Sequence, residues 1–141
     1  MIRGLALTAL IVLASGLRAE DLPADRQIGP GASLVGDPAR GRLIFGTCRG
    51  CHSLEQETGH GIGPNLHRIF GKVAGTQKEF AYYSAGLQAA AFVWTPQKLD
   101  KWLQGPVIMV PDTTMMSVSM SDARQRTDLI EYLKQASVKD T

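Results

Sequence analysis

The amino-acid sequence predicts an all-α chain of short helices joined by long loops. Two cap-and-proline pairs, Asp37-Pro38 and Thr95-Pro96, have the form of helix N-termini. Residues 53–78 contain six glycines and prolines, a composition typical of loops. No segment alternates apolar and polar residues as a half-buried strand would, and no internal repeat is visible. Helices and loops without a sheet are therefore expected.

The first 19 residues have the pattern of a secretory signal peptide. Arg3 is followed by an uncharged, largely apolar run over residues 4–17 and then by Arg18-Ala19-Glu20. The run is shorter than the roughly 20 apolar residues of a membrane span. We therefore predict a periplasmic protein, cleaved after Ala19 or after Gly16. If the segment were not cleaved, it would anchor the protein to the membrane.

Loss of residues 1–19 would change the charge of the protein. The whole chain has 15 basic and 13 acidic residues, and cleavage after residue 19 would remove Arg3 and Arg18. The remaining chain would then be neutral, without the clustered basic face that nucleic-acid binding requires. Its length suits an irregular Pro/Gly-containing arm at 20–35, one domain at 36–137 and a short tail at 138–141.

The first half of the domain is expected to contain two helices. The first begins at Asp37-Pro38 and runs towards Cys48, burying Leu43, Ile44 and Phe45. The second covers about residues 80–91, although Gly86 weakens it.

Two more helices are expected in the second half. One runs from Thr95-Pro96 to the residue before Gly105-Pro106, with an apolar face of Leu99, Trp102 and Leu103. The last starts near Ser121-Asp122 and ends at about Ala136, with a buried stripe of Leu129, Tyr132, Leu133 and Ala136.

Residues 48–52 read Cys-Arg-Gly-Cys-His, and no other cysteine occurs in the chain. C-x-x-C-H is the attachment signature of a c-type haem, in which two thiols form thioethers and the histidine binds iron. On one helical turn Cys48, Cys51 and His52 stand at i, i+3 and i+4, on the same face. A zinc site would need more Cys or His pairs, and a thioredoxin-like redox pair would need a nearby βαβ pattern, which is not visible. One covalent haem c is therefore the expected cofactor.

The ligand on the other face of the haem iron decides its chemistry. An open position allows ligand binding or peroxide chemistry, whereas a thioether favours electron transfer at raised potential. Four methionines follow the motif: Met109, Met115, Met116 and Met120. Methionine is ordinarily a core filler, so composition alone does not choose among them.

Over residues 36 to about 137, the chain resembles class I cytochrome c of the mitochondrial and bacterial c2 type. The resemblance rests on short pieces whose order and spacing together are specific. They are Gly41-Arg42-Leu43-Ile44-Phe45, Gly63-Pro64-Asn65-Leu66-His67, Phe70-Gly71-Lys72, Phe80-Ala81-Tyr82, Trp94, Pro111-Asp112-Thr113-Thr114-Met115 and Asp128-Leu129-Ile130-Glu131-Tyr132-Leu133. It implies the class I cytochrome c fold, in which short helices and long loops wrap around one covalent haem.

The resemblance also implies the axial ligands. The family pattern Pro-Gly-Thr-Lys-Met ends in the axial methionine, and here that stretch ends at Met115, with Met116 as the main alternative. His52 would be the opposite ligand. Of the other two histidines, His60 matches a position that ties loops together, and His67 is expected at the surface. A bis-histidine iron that uses either is the less favoured arrangement.

Further residues carry over to positions around the haem. Pro64 would accept a hydrogen bond from the ligating histidine. Tyr82 and Trp94 would reach one propionate, beside Lys72, where the family usually has arginine. Thr113 would lie beside the other propionate. Core packing is the alternative for the aromatic residues, and an exposed charge is the alternative for Lys72.

Where the terminal helices cross, the resemblance implies that Gly41 and Phe45 meet Leu129 and Tyr132. The glycine would allow the two helices a close approach.

Departures from the family pattern bear on the partners. Trp102 stands where a haem-contacting tyrosine is usual, and Asp112 replaces a glycine. The mitochondrial-type proteins surround the haem edge with lysines, whereas residues 107–110 are apolar. We expect this stretch either to form an apolar docking patch or to be buried against the haem.

The expected function is an exported monohaem c-type cytochrome that carries single electrons between redox proteins as its iron cycles between Fe(III) and Fe(II). No nucleophile–base constellation indicates an enzyme. Candidate partners are a cytochrome oxidase, a bc1-type reductase or a periplasmic dehydrogenase, met in transient encounters. One alternative is a dedicated electron-acceptor subunit of a periplasmic dehydrogenase or sulfur-oxidising enzyme. A haem enzyme or gas-binding sensor with an open sixth position is less favoured.

Overall fold

The computed structural model describes residues 35–116 and 119–138, so the predicted signal peptide and nearly all of the predicted arm and tail lie outside the described part. Within it the chain forms helices and long loops with no strand, apart from one antiparallel bridge between Val73 and Val93. The all-α prediction is confirmed. The helices are α1 Pro38–Phe45, α2 Ala85–Ala89, α3 Pro96–Gln104, α4 Pro106–Met109 and α5 Ala123–Ala136, and a 3₁₀ turn covers Gln56–Thr58.

Side-chain caps explain where three helices begin. The Asp37 carboxylate accepts hydrogen bonds from the first turn of α1, and Asp122 does the same for α5. The Thr95 hydroxyl accepts the Lys98 N–H at the start of α3. Each of these bonds satisfies a backbone donor that has no partner within its helix. The predicted starts of these three helices are confirmed.

The helix expected over residues 80–91 is much shorter than predicted. Only Ala85–Ala89 is helical, because Ser84 caps it by accepting the Leu87 N–H and fixes its start. The preceding residues 80–84 form no helix, and the Phe80 ring instead packs edge-on against Tyr83, at 4.8 Å between centroids. The same ring also contacts His60, with centroids 5.5 Å apart. Local and tertiary contacts of the Phe80 ring therefore outweigh the helical pattern. Helix α4, which follows Gly105 and begins with Pro106, was not predicted.

Helices α1 and α5 cross in close contact, as expected. A Cβ on Gly41 would overlap the Asp128 carbonyl oxygen and lie 2.7 Å from Tyr132 Cβ, so only glycine fits. The Phe45 ring is buried, and its centroid lies 5.6 Å from that of Tyr132. Leu43, predicted to be buried, is 79% exposed. Since α5 covers the face of α1 that bears Gly41 and Phe45, Leu43 points away from it.

A charge pair between exposed Arg40 and buried Asp128 also joins the two ends of this domain. The Asp128 carboxylate accepts the Asp37 N–H at 2.7 Å and the Arg40 Nε–H at 2.8 Å. Burial by itself would raise the pKa of Asp128, but the bonds from Arg40 and Asp37 and the charge of Arg40 bring that pKa below its usual range. The carboxylate is therefore held in its charged form.

The apolar core lies between these helices and the loops. Its buried members are Phe45, Leu54, Ala74, Leu87, Trp94, Leu99, Trp102, Val110, Leu129, Ile130 and Leu133. The Trp94 and Trp102 rings pack edge-on, with centroids 5.4 Å apart. None of the helices in the described ranges has the length and apolar character needed to cross a bilayer.

Candidate functional site

The C-x-x-C-H segment continues α1 as a series of tight turns. The Cys48 N–H donates to Phe45 O at 2.8 Å, and the N–H groups of Cys51 and His52 both donate to Cys48 O, at 3.0 and 2.9 Å. These bonds place the two cysteines and the histidine on one turn. Both thiols are free. Burial raises the pKa of Cys48, whereas a redox-active C-x-x-C depends on a lowered one.

The His52 ring is fixed by the loop that follows it. Its Nδ1 lies 2.7 Å from Pro64 O, and because a carbonyl can only accept, Nδ1 carries the proton. A Cβ on Gly63 would lie 2.8 Å from Nδ1 and 2.9 Å from Nε2, so the glycine makes room for the ring. Burial lowers the pKa of His52, which favours neutral imidazole. The Nε2 lone pair is then the one suited to a metal.

The two adjacent methionines differ in their surroundings. Met115 is half-buried, and its Sδ accepts the indole N–H of Trp102 at 3.0 Å. The Met115 N–H donates to the Thr113 hydroxyl at 3.2 Å. Met116 is 97% exposed. Of these two thioethers, the fold holds only that of Met115 inside the domain.

The other two methionines of the second half pack, half-buried, against the core. The Met120 N–H donates to Leu103 O at 2.8 Å, and Met109 closes α4. Both match the ordinary use of methionine as a core filler.

Lys72 and Trp94, expected near one propionate, lie on paired segments. The Trp94 N–H donates to Lys72 O at 2.8 Å. The Lys72 ammonium is half-buried and donates to His67 O at 2.7 Å and to Gln77 Oε1 at 2.6 Å. Burial, with the Arg68 charge, lowers the pKa of Lys72. Two of its three protons are used in these bonds, so one remains for an anionic group. Tyr82 is exposed, and its ring packs edge-on against Phe80.

The two remaining histidines are structural. His60 Nδ1 accepts the Asn65 N–H at 2.9 Å, so its Nε2–H donates to Lys78 O at 2.6 Å. Both ring nitrogens thus join loops, as expected of His60. The prediction that His67 lies at the surface is wrong, because it is only 8% exposed. Its N–H donates to Asn65 Oδ1, and its Nδ1 lies 3.2 Å from Leu54 O.

Asn65 is a buried residue whose role the sequence did not reveal. Its Nδ2 lies within hydrogen-bond distance of three oxygens: Ser53 Oγ, Glu55 O and Gly59 O. Together with the bond from the His67 N–H to Oδ1, the buried amide joins four loop positions and organises the segment after the haem motif. An asparagine beside Gly63-Pro64 was the signal available, but the partners of its Nδ2 lie 6, 10 and 12 residues earlier in the sequence.

The donor set around the C-x-x-C-H turn fits a c-type haem. It comprises two unpaired thiols on one turn, an imidazole whose Nδ1 proton is already bonded, and a half-buried thioether that keeps a lone pair after accepting from Trp102. In the described residues no group of three or more His, Cys, Asp and Glu side chains is arranged to hold a bare metal ion. The chemistry of these donors therefore suits an iron porphyrin better than zinc.

No protein-family model matches the chain. Comparison with individual proteins is decisive. The chain is 39% identical to cytochrome c of Ginkgo biloba over 106 residues, which is 74% of this chain and 93% of that protein. It is 43% identical to cytochrome c of Chlamydomonas reinhardtii over 104 residues, 73% of this chain and 92% of the relative. The chain belongs to the class I cytochrome c family.

A bacterial relative extends the comparison. Cytochrome c2 of Rhodomicrobium vannielii is 32% identical over 102 residues, 72% of this chain and 81% of that protein. As a member of the cytochrome c family, the chain with the Cys48–His52 motif is a monohaem electron carrier. Its cofactor is one covalent haem c, and Cys48 and Cys51 fit the attachment site. Its helical, strand-free domain agrees with the fold that this family implies.

Proposed function

We propose that this cytochrome c is exported to the periplasm and that His52 and Met115 are the axial ligands of its haem iron. When bound, the haem supplies a one-electron Fe(III)/Fe(II) couple, whose potential a thioether ligand raises. The protein positions and tunes this group and transforms no substrate of its own.

The axial histidine is oriented through its second nitrogen. Pro64 O holds the proton on Nδ1, so the ring cannot change tautomer, and Gly63 leaves the ring room to lie against the loop. His52 would therefore bind iron through Nε2, while Cys48 and Cys51 hold the porphyrin covalently.

The observation that carries the proposal is the hydrogen bond from Trp102 Nε1 to Met115 Sδ, at 3.0 Å. Indole is a donor only, so it fixes one lone pair of the sulfur and leaves the other for iron. Trp102 is buried, so its indole N–H is held against this thioether and away from solvent. Met116 has no comparable setting because its side chain is 97% exposed.

Four further residues would surround the propionates. Lys72 and Trp94, brought together by their backbone pairing, would bind one propionate with Tyr82. Thr113, whose hydroxyl already accepts the Met115 N–H, would donate its own proton to the other. Bonds of this kind would hold two carboxylates at the edge of an apolar core.

Redox partners would meet the protein at an apolar patch, defined here as Val107 and Ile108. Both side chains are exposed on α4, whereas Met109 is half-buried and Val110 is buried. Residues 107–110 were expected either to form a docking patch or to be buried. Val107 and Ile108 fit the first expectation, and Met109 and Val110 fit the second. A small apolar contact suits the short-lived encounters of electron carriers. The specific partners proposed are an oxidase, a bc1-type reductase or a periplasmic dehydrogenase.

Export rests on the N-terminal sequence. The basic residue, apolar run and small residue at position 19 lie outside the described residues, and they support the proposed signal peptide through their sequence alone. Amino-terminal sequencing of the protein isolated from the periplasm tests this part. A first residue of Glu20, or of Leu17 for cleavage after Gly16, is expected; recovery of Met1 in the membrane fraction would contradict cleavage.

The ligand assignment is tested with two matched variants. In Met115→Ala the haem should stay attached, but the weak long-wavelength sulfur–iron band of the ferric protein should vanish and the reduced protein should bind carbon monoxide at once. The Met116→Ala variant should match the wild type in both respects, because its side chain lies in solvent. Optical spectra with and without carbon monoxide give the answer.

Two results would count against the proposal. If the sulfur–iron band survives in Met115→Ala and is lost in Met116→Ala, the ligand is Met116. If the reduced wild type binds carbon monoxide immediately, the sixth position is open and the protein is a haem enzyme or sensor.

A further inference from the structure

The segment that carries Met115 is fastened by Asp112, three residues before it. The Asp112 carboxylate accepts the Gly86 N–H at 2.8 Å through Oδ2 and the Ser84 hydroxyl at 3.3 Å through Oδ1. Both donors lie at the start of α2, 26 and 28 residues earlier in the chain. Asp112 therefore joins two segments that are distant in sequence.

Gly86 is fitted to this carboxylate. A Cβ at position 86 would overlap Asp112 Oδ1 and lie 2.8 Å from Asp112 Cγ. Residue 86 is helical, so its backbone does not need glycine, but a Cβ there would displace the Asp112 carboxylate from its present position. The glycine that weakens α2 is thus the residue that admits the carboxylate.

A third hydrogen bond joins the same two segments. The Thr114 hydroxyl donates to Tyr82 O at 3.1 Å. The Ser84 oxygen, whose proton goes to Asp112, itself accepts the Leu87 N–H. Residues 112–114 are therefore bound to residues 82–86 at three points.

We propose that Asp112 is a positioning residue for Met115: by fastening residues 111–115 to the start of α2, it slows replacement of the thioether by another ligand. This rests on the proposed function, in which Met115 is the axial ligand. For the sulfur to leave, its segment must move away, and the bonds to the charged carboxylate must break first. Hydrogen bonds to charged groups are the stronger ones, although exposure of this carboxylate reduces their strength.

The experiment measures ligand exchange in the ferric holoprotein. Imidazole is added at saturating concentration, so that methionine release limits the rate, and loss of the sulfur–iron band is followed by stopped flow. We expect Asp112→Ala to accelerate exchange roughly tenfold and Asp112→Asn about threefold, because asparagine keeps one acceptor and the side-chain shape. The milder variant also keeps the test available if the alanine variant fails to fold.

Asp122→Ala is the matched control. Asp122 is also an exposed aspartate with two hydrogen bonds at the start of a helix, but its donors are the N–H groups of Arg124 and Gln125 in α5. We expect a similar loss in the free energy of unfolding and an exchange rate within twofold of wild type.

Two outcomes would overturn the inference. In one, both Asp112 variants exchange at the wild-type rate. In the other, Asp122→Ala accelerates exchange as much as Asp112→Ala, so that the rate follows global stability. Failure of the proposed function has a different signature: either Met115→Ala keeps the sulfur–iron band, or the reduced wild type binds carbon monoxide at once, whatever the Asp112 variants do.

Discussion

Met115 and Met116 adjoin in the sequence, yet their side chains have different environments. One thioether accepts a hydrogen bond from a buried indole, and the other lies in solvent. Trp102 departs from the tyrosine that the family resemblance implies, but both side chains are amphipathic donors, so the donor is kept on a larger ring. With Met115 as the proposed axial ligand, this bond would withdraw electron density from the sulfur and thereby weaken its donation to ferric iron.

Loss of that donor should change the reduction potential. We expect Trp102→Phe to lower the potential, because a sulfur without the hydrogen bond stabilises Fe(III) better. Trp102→Tyr, which restores an O–H donor, should recover part of the difference. Spectroelectrochemical titration of both holoproteins measures this. Equal potentials in the phenylalanine and tyrosine variants would show that ring size matters and the donor does not.

At the level of residues, the sequence predicts what the chemistry of a motif dictates. C-x-x-C-H specifies a haem because each residue has a bond to form. Met115 could be preferred to Met116 only through the family pattern, since neighbouring thioethers are chemically alike. The bonds of Asn65 Nδ2 and the burial of His67 depend on loops that meet in space, and no local pattern encodes them.

At the level of elements, α1 and α5 are joined by steric fit and by charge. Gly41 allows the close approach, and Asp128 binds the backbone of Asp37 and the side chain of Arg40. Because Asp128 is buried, loss of its charge would weaken the hydrogen bonds that it accepts from the Asp37 N–H and from the Arg40 side chain. The crossing is therefore sensitive to acid.

Asp128→Asn should destabilise the protein in a pH-dependent manner. We expect a loss of about 1–3 kcal/mol at pH 7, below the range for fully buried pairs because Arg40 is 43% exposed. The pKa of Asp128 is lowered by folding, so its contribution is complete above an unfolded-state pKa of about 3.9 and is lost as the pH falls further, through the folded-state pKa.

Chemical denaturation of the wild-type and variant holoproteins between pH 7 and pH 3 measures this effect. The difference in the free energy of unfolding should stay constant down to about pH 5 and shrink below about pH 4. Glu57→Gln, a change at an exposed carboxylate, serves as the control and should stay within about 0.5 kcal/mol of wild type. A difference for Asp128→Asn that grows as the pH falls would contradict the assignment.

The starts of three helices could be predicted because their caps are local. The exposure of Leu43 and the length of the helix at 80–91 could not. Asp37, Thr95 and Asp122 each bond to N–H groups two or three residues ahead, within reach of sequence patterns. Leu43 was assigned to the wrong face because nothing local shows which side of α1 meets α5. The helix at 80–91 was overestimated because ring contacts and the Ser84 cap set its start.

At the level of the whole molecule, the proposed docking patch carries no charge. After the proposed cleavage, basic and acidic side chains are equal in number. Val107 and Ile108 are exposed where the mitochondrial-type pattern has lysines. Long-range steering of charged partners should therefore be weak.

The rate of oxidation by ferricyanide should depend little on salt. We expect a change of less than about threefold between 10 and 200 mM ionic strength, because an uncharged patch exerts no field for the ions to screen. The double variant Val107→Lys/Ile108→Lys should react faster at low salt and lose that gain as salt rises. Stopped-flow measurement of the oxidation rates of both reduced proteins tests this prediction. A wild-type rate that falls as steeply as that of the double variant would reveal a positive field elsewhere.

The crossing of α1 and α5 brings together opposite ends of the domain. The Asp37 N–H donates to the Asp128 carboxylate at 2.7 Å, and these two residues are 91 positions apart in the sequence. A polypeptide leaves the ribosome amino end first, and under the proposed export it would cross the translocation channel in the same order, so this contact must wait for the last helix to emerge. Until then the crossing of α1 and α5 cannot form, which would leave the thiols of Cys48 and Cys51 open to the machinery that attaches the porphyrin.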